Sequence, residues 1–438
     1  MAKIVVRKRM RKKRGSKGSH RSALGTSSGT VAVSDWPGGS ISQVAGFRTA
    51  ALHCGLKRDP RKPDLALLVC AAPASAAGVF TTNRVCAAPV AYSRATLAAA
   101  KGRARAVIVN AGNANACTGK QGARDAAQMA KLTARGLGCR ATEVLVCSTG
   151  VIGRPLPMEK LERGIAELAG NGARGADGAD FARAIMTTDL VPKTAAARVQ
   201  ISGVSVHVAG ACKGSGMIAP RMATMLGFVA TDAAVAPRAL QAALASVAEE
   251  TFNCVTVDGD TSTNDTLLVL ASGKAGNQRI AKASGAEYAA LRAALFSVCD
   301  SLARQIAADG EGAAHTITLY VGGTRTDAVA RAIARAIAES PLVKTAIAGC
   351  DPNWGRIVAA AGRAGVAFEP DETSLTVQGF ELFRGGTPLD FDAAAVSKAL
   401  QHRDVSIVLL AGDGPGRAKF YTCDLTHGYV EINADYHT

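Results

Sequence analysis

The chain has 438 residues, enough for two or three domains around a sizeable buried core. Hydrophobic residues make up 48% and charged residues 20%, close to an ordinary globular enzyme, while aromatics reach only 4%. The net charge is +16, yet residues 1–22 hold ten Lys or Arg and no acid, which leaves 41 basic against 35 acidic residues elsewhere. The body therefore lacks the basic, aromatic-rich strands of a nucleic-acid reader, and no nucleic-acid partner is expected of it.

The basic leader, taken as residues 1–34, reads in three ways: a solvated tail, a segment for RNA or anionic surfaces, or an organelle transit peptide. A cytoplasmic protein is expected, or a mitochondrial or plastid one if the leader is such a peptide. Eleven cysteines are scattered with no CxxC pair, and seven histidines show no paired spacing. That usage fits buried thiols in a reducing compartment, with no metal and no resident cofactor.

In chain order, the first long apolar run is 65–80. It is too short for a bilayer span and is interrupted by Pro73 and Ser75, so no membrane association is expected. Short apolar runs ending at glycine follow at 105–112 and 143–150 and read as strands. Residues 198–210 read as a hairpin turning on Ser202-Gly203. Leu240, Leu244 and Val247 share one helical face. A longer face carries Tyr288, Leu291, Leu295, Val298, Leu302 and Ile306, and a third carries Val329, Ile333 and Ile337. Strands at 316–323 and 404–412 complete the pattern. Helices and strands alternate, but the hairpin argues against a purely parallel sheet, so the expected class is layered α/β with mixed or antiparallel sheets. Chain junctions are expected at the glycine-rich 170–178 and at "KGSGMIAPRMATML" (213–226), and no tandem repeat is present.

Several motif readings fail. In "KGSG" the Lys precedes the glycines, and in "GNANACTGK" six residues separate the two glycines and Gln121 follows, so neither is a phosphate loop. "GDGPGR" (412–417) is too weak for a dinucleotide site. "VDGDTSTND" (257–265) lacks the Gly and Glu of a calcium loop and reads as a hydrogen-bonded turn lining a pocket.

Thr224 stands in a small-residue stretch, where a threonine is ordinarily structural. It becomes a nucleophile if the preceding peptide bond is cut, because its own α-amine, with a pKa near ~8, can then serve as general base. The residues permit both readings.

The stretch resembles the self-cleavage motif of the ornithine acetyltransferase (ArgJ) family, the bifunctional glutamate N-acetyltransferases. "GVFTTNR" (78–84), "VNAGNANACTG" (109–119), "CSTGVIG" (147–153), "MTTDLVPK" (186–193), "FNCVTVDGDTSTND" (252–265), "DGEGA" (309–313), "DPNWGRI" (351–357), "CDLT" (423–426) and "YVEINADY" (429–436) look like family blocks in family order. Together they span roughly residues 40 to 438. The resemblance implies an α-β-β-α self-cleaving fold, cut between Ala223 and Thr224 into an α chain (35–223) and a β chain (224–438). The β chain would carry a C-terminal subdomain from about 340, and two of each chain would assemble as a heterotetramer.

By the same resemblance, Thr224 takes the acetyl group of N-acetylornithine as an ester and passes it to glutamate. Thr149 and Gly150 match the oxyanion hole. Lys213 and Thr188 match substrate contacts, Glu311 matches an acidic site residue, and Asn433 and Thr438 match C-terminal contacts. Some members of the family also use acetyl-CoA as a co-substrate. The chain departs from the family pattern at Ala314-His315, Tyr421-Thr422, His437 and Arg221; the first pair bears on how Glu311 is held. The alternatives are an aminopeptidase of the related self-cleaving superfamily, which generally carries Ser at the new N-terminus, and a basic-tailed nucleic-acid-binding protein.

Overall fold

A computed structural model describes residues 31–170, 177–219 and 225–435. The first sheet draws on β1 (Val33–Asp35), β2 (Phe47–Leu52) and β3 (Leu65–Phe80). Helix α1 (Ala88–Ala99) leads to β4 (Arg103–Asn113), and α2 (Gly119–Leu137) leads to β5 (Val144–Val151). After α3 (Met158–Gly170) and α4 (Gly178–Ala184) come β6 (Lys193–Ile201), β7 (Val204–Lys213) and β8 (Leu226–Thr231). Helix α5 (Pro237–Glu250), β9 (Thr266–Ala271) and α6 (Ala286–Ala308) complete this region.

Strand order is β1-β6-β7-β8-β9-β3-β4-β5, with β2 on the flank of β3. Most neighbours are antiparallel, but β8–β9 and β4–β5 run parallel, so the sheet is mixed as expected. Ser202 and Gly203 both have positive φ, at +50° and +80°, which is what a two-residue hairpin matching the strand twist requires. The apolar run 65–80 is β3. Its first half pairs with β2 and β4 and its second half with β9, and the register with β4 shifts between Val69 and Ala74. A strand buried on both faces needs no polar alternation, which is why this one reads as a continuous apolar run.

Alternate side chains of β3, β4, β5, β7, β8 and β9 converge on one core, where Phe181 of α4 meets Phe228 edge-on. On the opposite face, α2 and α3 cover one end of the sheet, while α5 packs on β3 and α6 on β6 and β7. The layering is therefore helix, sheet face, core.

A second, six-stranded sheet follows. Its elements are β10 (Thr316–Gly323), α7 (Asp327–Ala338), α8 (Pro341–Ala348), α9 (Trp354–Gly362), β11 (Thr373–Val377), β12 (Phe380–Arg384) and β13 (Thr387–Pro388). Helix α10 (Ala393–Leu400), β14 (Asp404–Ala411), β15 (Gly414–Cys423) and α11 (His427–Asp435) end it. The order is β13-β12-β11-β14-β10-β15, so β10, upstream of residue 340, lies inside this sheet between β14 and β15. Helix starts are chemically marked: Thr326 and Ser340 accept the backbone N–H groups of Val329 and Val343, and Pro341 occupies the first turn of α8. No described helix is long and apolar enough to cross a membrane.

Candidate active site

One cleft gathers residues from segments distant in sequence. Thr149 and Gly150 come from the end of β5, Thr187 and Thr188 from the loop before β6, and Lys213 from the last position of β7. Ser262–Asn264 precede β9, Glu311 follows α6, and Asn433 sits on α11. Thr149, Gly150, Thr188, Lys213, Glu311 and Asn433 thus line a common space. Ala223, Thr224 and Thr438 lie outside the described residues. Thr224 is followed by Met225 and by β8, whose Leu226 sits opposite Lys213 in the β7–β8 ladder.

The strand end is held by uncharged groups. Gly150 has φ +129°, and a Cβ there would drive into the backbone of Gly112 and Asn113, so only glycine allows β4 and β5 to approach this closely. Asn264 straps the two strands, donating to the carbonyls of Ala114 at 2.6 Å and Ser148 at 2.9 Å. Ser148 Oγ donates to Asn110 Oδ1 at 2.5 Å, and Asn113 Nδ2 reaches the carbonyls of Arg154 and Pro155. A strand end fixed this way can aim donors at a developing oxyanion without rearranging.

The opposite end is charged. Lys213 is 4% exposed, and its only hydrogen-bond partner among the described residues is Thr187 Oγ1 at 3.3 Å. Burial pushes its pKa below the usual lysine range, with the carboxylates of Asp189 and Asp265 opposing the shift. Glu311 faces it across the cleft. Its Oε2 accepts from Asn433 Nδ2 at 2.9 Å, and its backbone N–H donates to the carbonyl of Ser215. The carboxylate lies so close to Gly216 that any Cβ there would overlap it. Thr188 Oγ1 shares a 2.8 Å hydrogen bond with Ser215 Oγ.

Behind this end lies a feature the sequence reading missed, a buried ion triad. Lys193 Nζ donates to Asp189 Oδ1 and Asp309 Oδ2, each at 2.6 Å. Burial alone would raise the pKa of Asp189, but Lys193 and Lys213 reverse this and hold its carboxyl below the usual range. Burial would likewise lower Lys193, and its two carboxylate partners raise it instead. All three residues stand inside the blocks "MTTDLVPK" and "DGEGA", yet nothing in their spacing announces that 309 meets 193.

Two further carboxyls border the cleft. Asp258 accepts the N–H groups of Met217 at 2.5 Å and Ile218 at 2.8 Å, and burial pushes its pKa up to about 6. Asp265 accepts the N–H of Met225 at 3.0 Å, and burial raises it well above the ordinary value. The Ala314-His315 departure is held by Asp424. Its Oδ1 accepts both backbone N–H groups at 2.9 Å, and its Oδ2 meets His315 Nδ1 at 2.7 Å. The loop behind Glu311 is therefore anchored despite the unusual residues. Among the described residues no group of three or more His, Cys, Asp or Glu could hold a metal ion.

Known proteins match nearly the whole chain. The ArgJ family profile matches residues 48–438. The arginine biosynthesis bifunctional protein ArgJ of Gloeobacter violaceus is 48% identical over 406 residues, covering 92% of this chain and 99% of that protein. Its counterpart in Lactococcus lactis is 48% identical over 398 residues, covering 91% and 98%. Among solved structures, the ArgJ protein of Bacillus halodurans is 42% identical over 49% of this chain and all of that chain, with a TM-score of 0.47. An ornithine acetyltransferase of Mycobacterium tuberculosis, solved with ornithine, is 41% identical over 43% of this chain and 98% of that chain, with a TM-score of 0.39. The sequence matches define the class, an acyltransferase of arginine biosynthesis with a mixed α/β fold. The chain belongs to the ArgJ family.

Proposed function

We propose that the chain cuts itself between Ala223 and Thr224 and then transfers acetyl from N2-acetylornithine to glutamate through an acetyl ester on Thr224. The observation that carries this reading is the convergence of Thr149, Gly150, Thr188, Lys213, Glu311 and Asn433 on one cleft beside the start of β8.

In the first step Thr224 Oγ attacks the Ala223 carbonyl carbon. The C–N bond breaks, the hydroxyl proton passes to the departing nitrogen, and an ester remains. That nitrogen is now the free α-amine of Thr224, and water hydrolyses the ester to release the Ala223 carboxylate and the Thr224 hydroxyl.

In the transfer, the neutral α-amine takes the hydroxyl proton as Oγ attacks the acetyl carbonyl of N-acetylornithine. The C–N bond breaks and the proton leaves on the α-amine of ornithine. The neutral α-amine of glutamate then attacks the acetyl-Thr224 ester, its surplus proton returning to Oγ, and the cycle closes. Both half-reactions pass through tetrahedral oxyanions, which Thr149 and Gly150 would stabilise. Lys213 would bind the α-carboxylate and Glu311, oriented by Asn433, a cationic amino group, with Thr188 and Thr438 completing the contacts.

No resident cofactor is required, and acetyl-CoA serves as an alternative acetyl donor in the bifunctional form of the reaction. After the cut the α chain (35–223) and β chain (224–438) stay together and pair as α2β2, in the cytoplasm. The test is to incubate purified protein and glutamate with N-acetylornithine, then with acetyl-CoA, and measure acetylglutamate while following the chain on a denaturing gel. Two half-length bands and transfer from N-acetylornithine are expected. An intact single band with full activity would overturn the self-cleavage mechanism.

A further inference from the structure

Lys213 is a buried ammonium with three donors, one long hydrogen bond and no ion pair among the described residues. Four titratable groups act on it, Asp189, Asp265, Lys193 and Glu311, and Lys57 also feels its charge. Asp265 is buried with its proton favoured, and Glu311 stands across the cleft. Asp189 differs from both because its carboxylate bonds three neighbours of Lys213: Gly214, Lys193 and Thr187. Its Oδ1 accepts from Gly214 N–H at 2.7 Å, the residue next to Lys213, and from Lys193 Nζ. Its Oδ2 accepts from Thr187 N–H at 3.0 Å, and Thr187 is the residue whose hydroxyl Lys213 touches.

We propose that Asp189 is a positioning residue that fixes both the place and the charge of Lys213 and so governs how tightly the cleft holds the α-carboxylate of its amino-acid substrates. This rests on the acetyl-transfer reading above. The neighbours of Lys213 act with opposite signs. Burial and Lys193 favour its neutral form, whereas Asp189 favours the ammonium. Carboxylate binding needs the ammonium, so affinity is lost as pH rises through the Lys213 titration. Removing the Asp189 charge moves that loss to lower pH, and removing the Lys193 charge moves it to higher pH. A merely structural role would not produce opposite displacements.

The experiment measures KM for N-acetylornithine, whose α-amine is acetylated and cannot titrate, against pH for the full-length wild type, Asp189→Asn and Lys193→Gln, with thermal melts alongside. In wild type KM rises on the alkaline side. In Asp189→Asn the rise should begin at lower pH, so that within the alkaline limb KM exceeds the wild-type value by up to roughly tenfold while kcat changes less. In Lys193→Gln it should come later. Profiles that superpose on wild type, or that move in the same direction, overturn the proposal. If one variant fails to fold, the direction of displacement in the other decides. If neither folds, a wild-type KM flat across the alkaline range overturns it. Wild type making no acetylglutamate at all would instead overturn the acetyl-transfer reading.

Discussion

The two ends of the cleft are built from different materials. At the β5 end, Thr149 and Gly150 are held by backbone carbonyls and neutral amides, with Asn264 strapping Ala114 to Ser148. At the other end Lys213 and Glu311 are held by loops tied to a buried triad of full charges, Asp189, Lys193 and Asp309. The neutral end has nothing to titrate, so its contribution should be constant with pH. The charged end is strong only while each ion keeps its partner, since a buried charge stripped of its partner is costly. In the proposed reaction, stabilising a transient oxyanion would fall to the insensitive scaffold and recognising charged substrates to the sensitive one.

The largest expected effect ignores this division. On the proposed mechanism Thr224→Ala removes the nucleophile of both the cut and the transfer, so gel analysis should show an uncut chain and assays no transfer. Glu311→Gln probes the charged end. It keeps the volume and removes the charge, and kcat/KM should fall by about 10²–10³ with the melting temperature nearly unchanged. Near-normal rates would make Glu311 structural only. Thr149→Val probes the neutral end, where a loss of about 10² in kcat is expected, with the same ratio to wild type at every pH measured. A ratio that changes with pH would break the contrast between the two ends.

Smaller effects sharpen it. Asp258 has its pKa raised to about 6 by burial, above its unfolded value, so its contribution to stability is present at low pH and is lost as pH rises through 6. Asp258→Asn should remove up to about 2–3 kcal/mol of that pH dependence between roughly pH 4 and 7, read from denaturant midpoints. The smallest effect is expected of His315→Gln. If the α-amine of Thr224 is the base, the rising limb of kcat/KM lies between about pH 6.5 and 8 and stays there without the imidazole. Loss of the limb would make a side chain the base.

Local pattern made much of the fold legible. The strand at 316–323 and the helices around Leu244, Leu295 and Ile333 stand where their periodicity placed them, because one face of each is buried and the other is not. The run 65–80 carried no such alternation and could only be recognised as apolar; its bend between two sets of partners depends on strands distant in sequence. The candidate site residues were found by resemblance rather than by pattern, since a lone Thr, Lys or Glu has no period. The triad and the Asn264 strap escaped altogether. Lys193 meets Asp309 across 116 positions and Asn264 meets Ala114 across 150, and residue types alone do not say which distant partners will meet.

The strand order also bears on what a broken chain could do. Strands β8 and β9, which follow residue 224, lie between β7 and β3, which precede it. A nick before Thr224 would sever no ladder hydrogen bond, and the downstream piece would stay stitched into the sheet along both its margins. Prising the pieces apart would bare four unpaired strand edges at once, an invitation to aggregate. The halves should therefore be inherited together from one translation product, and a purification handle on either should retrieve both. Synthesised separately, they would have no stable sheet to join.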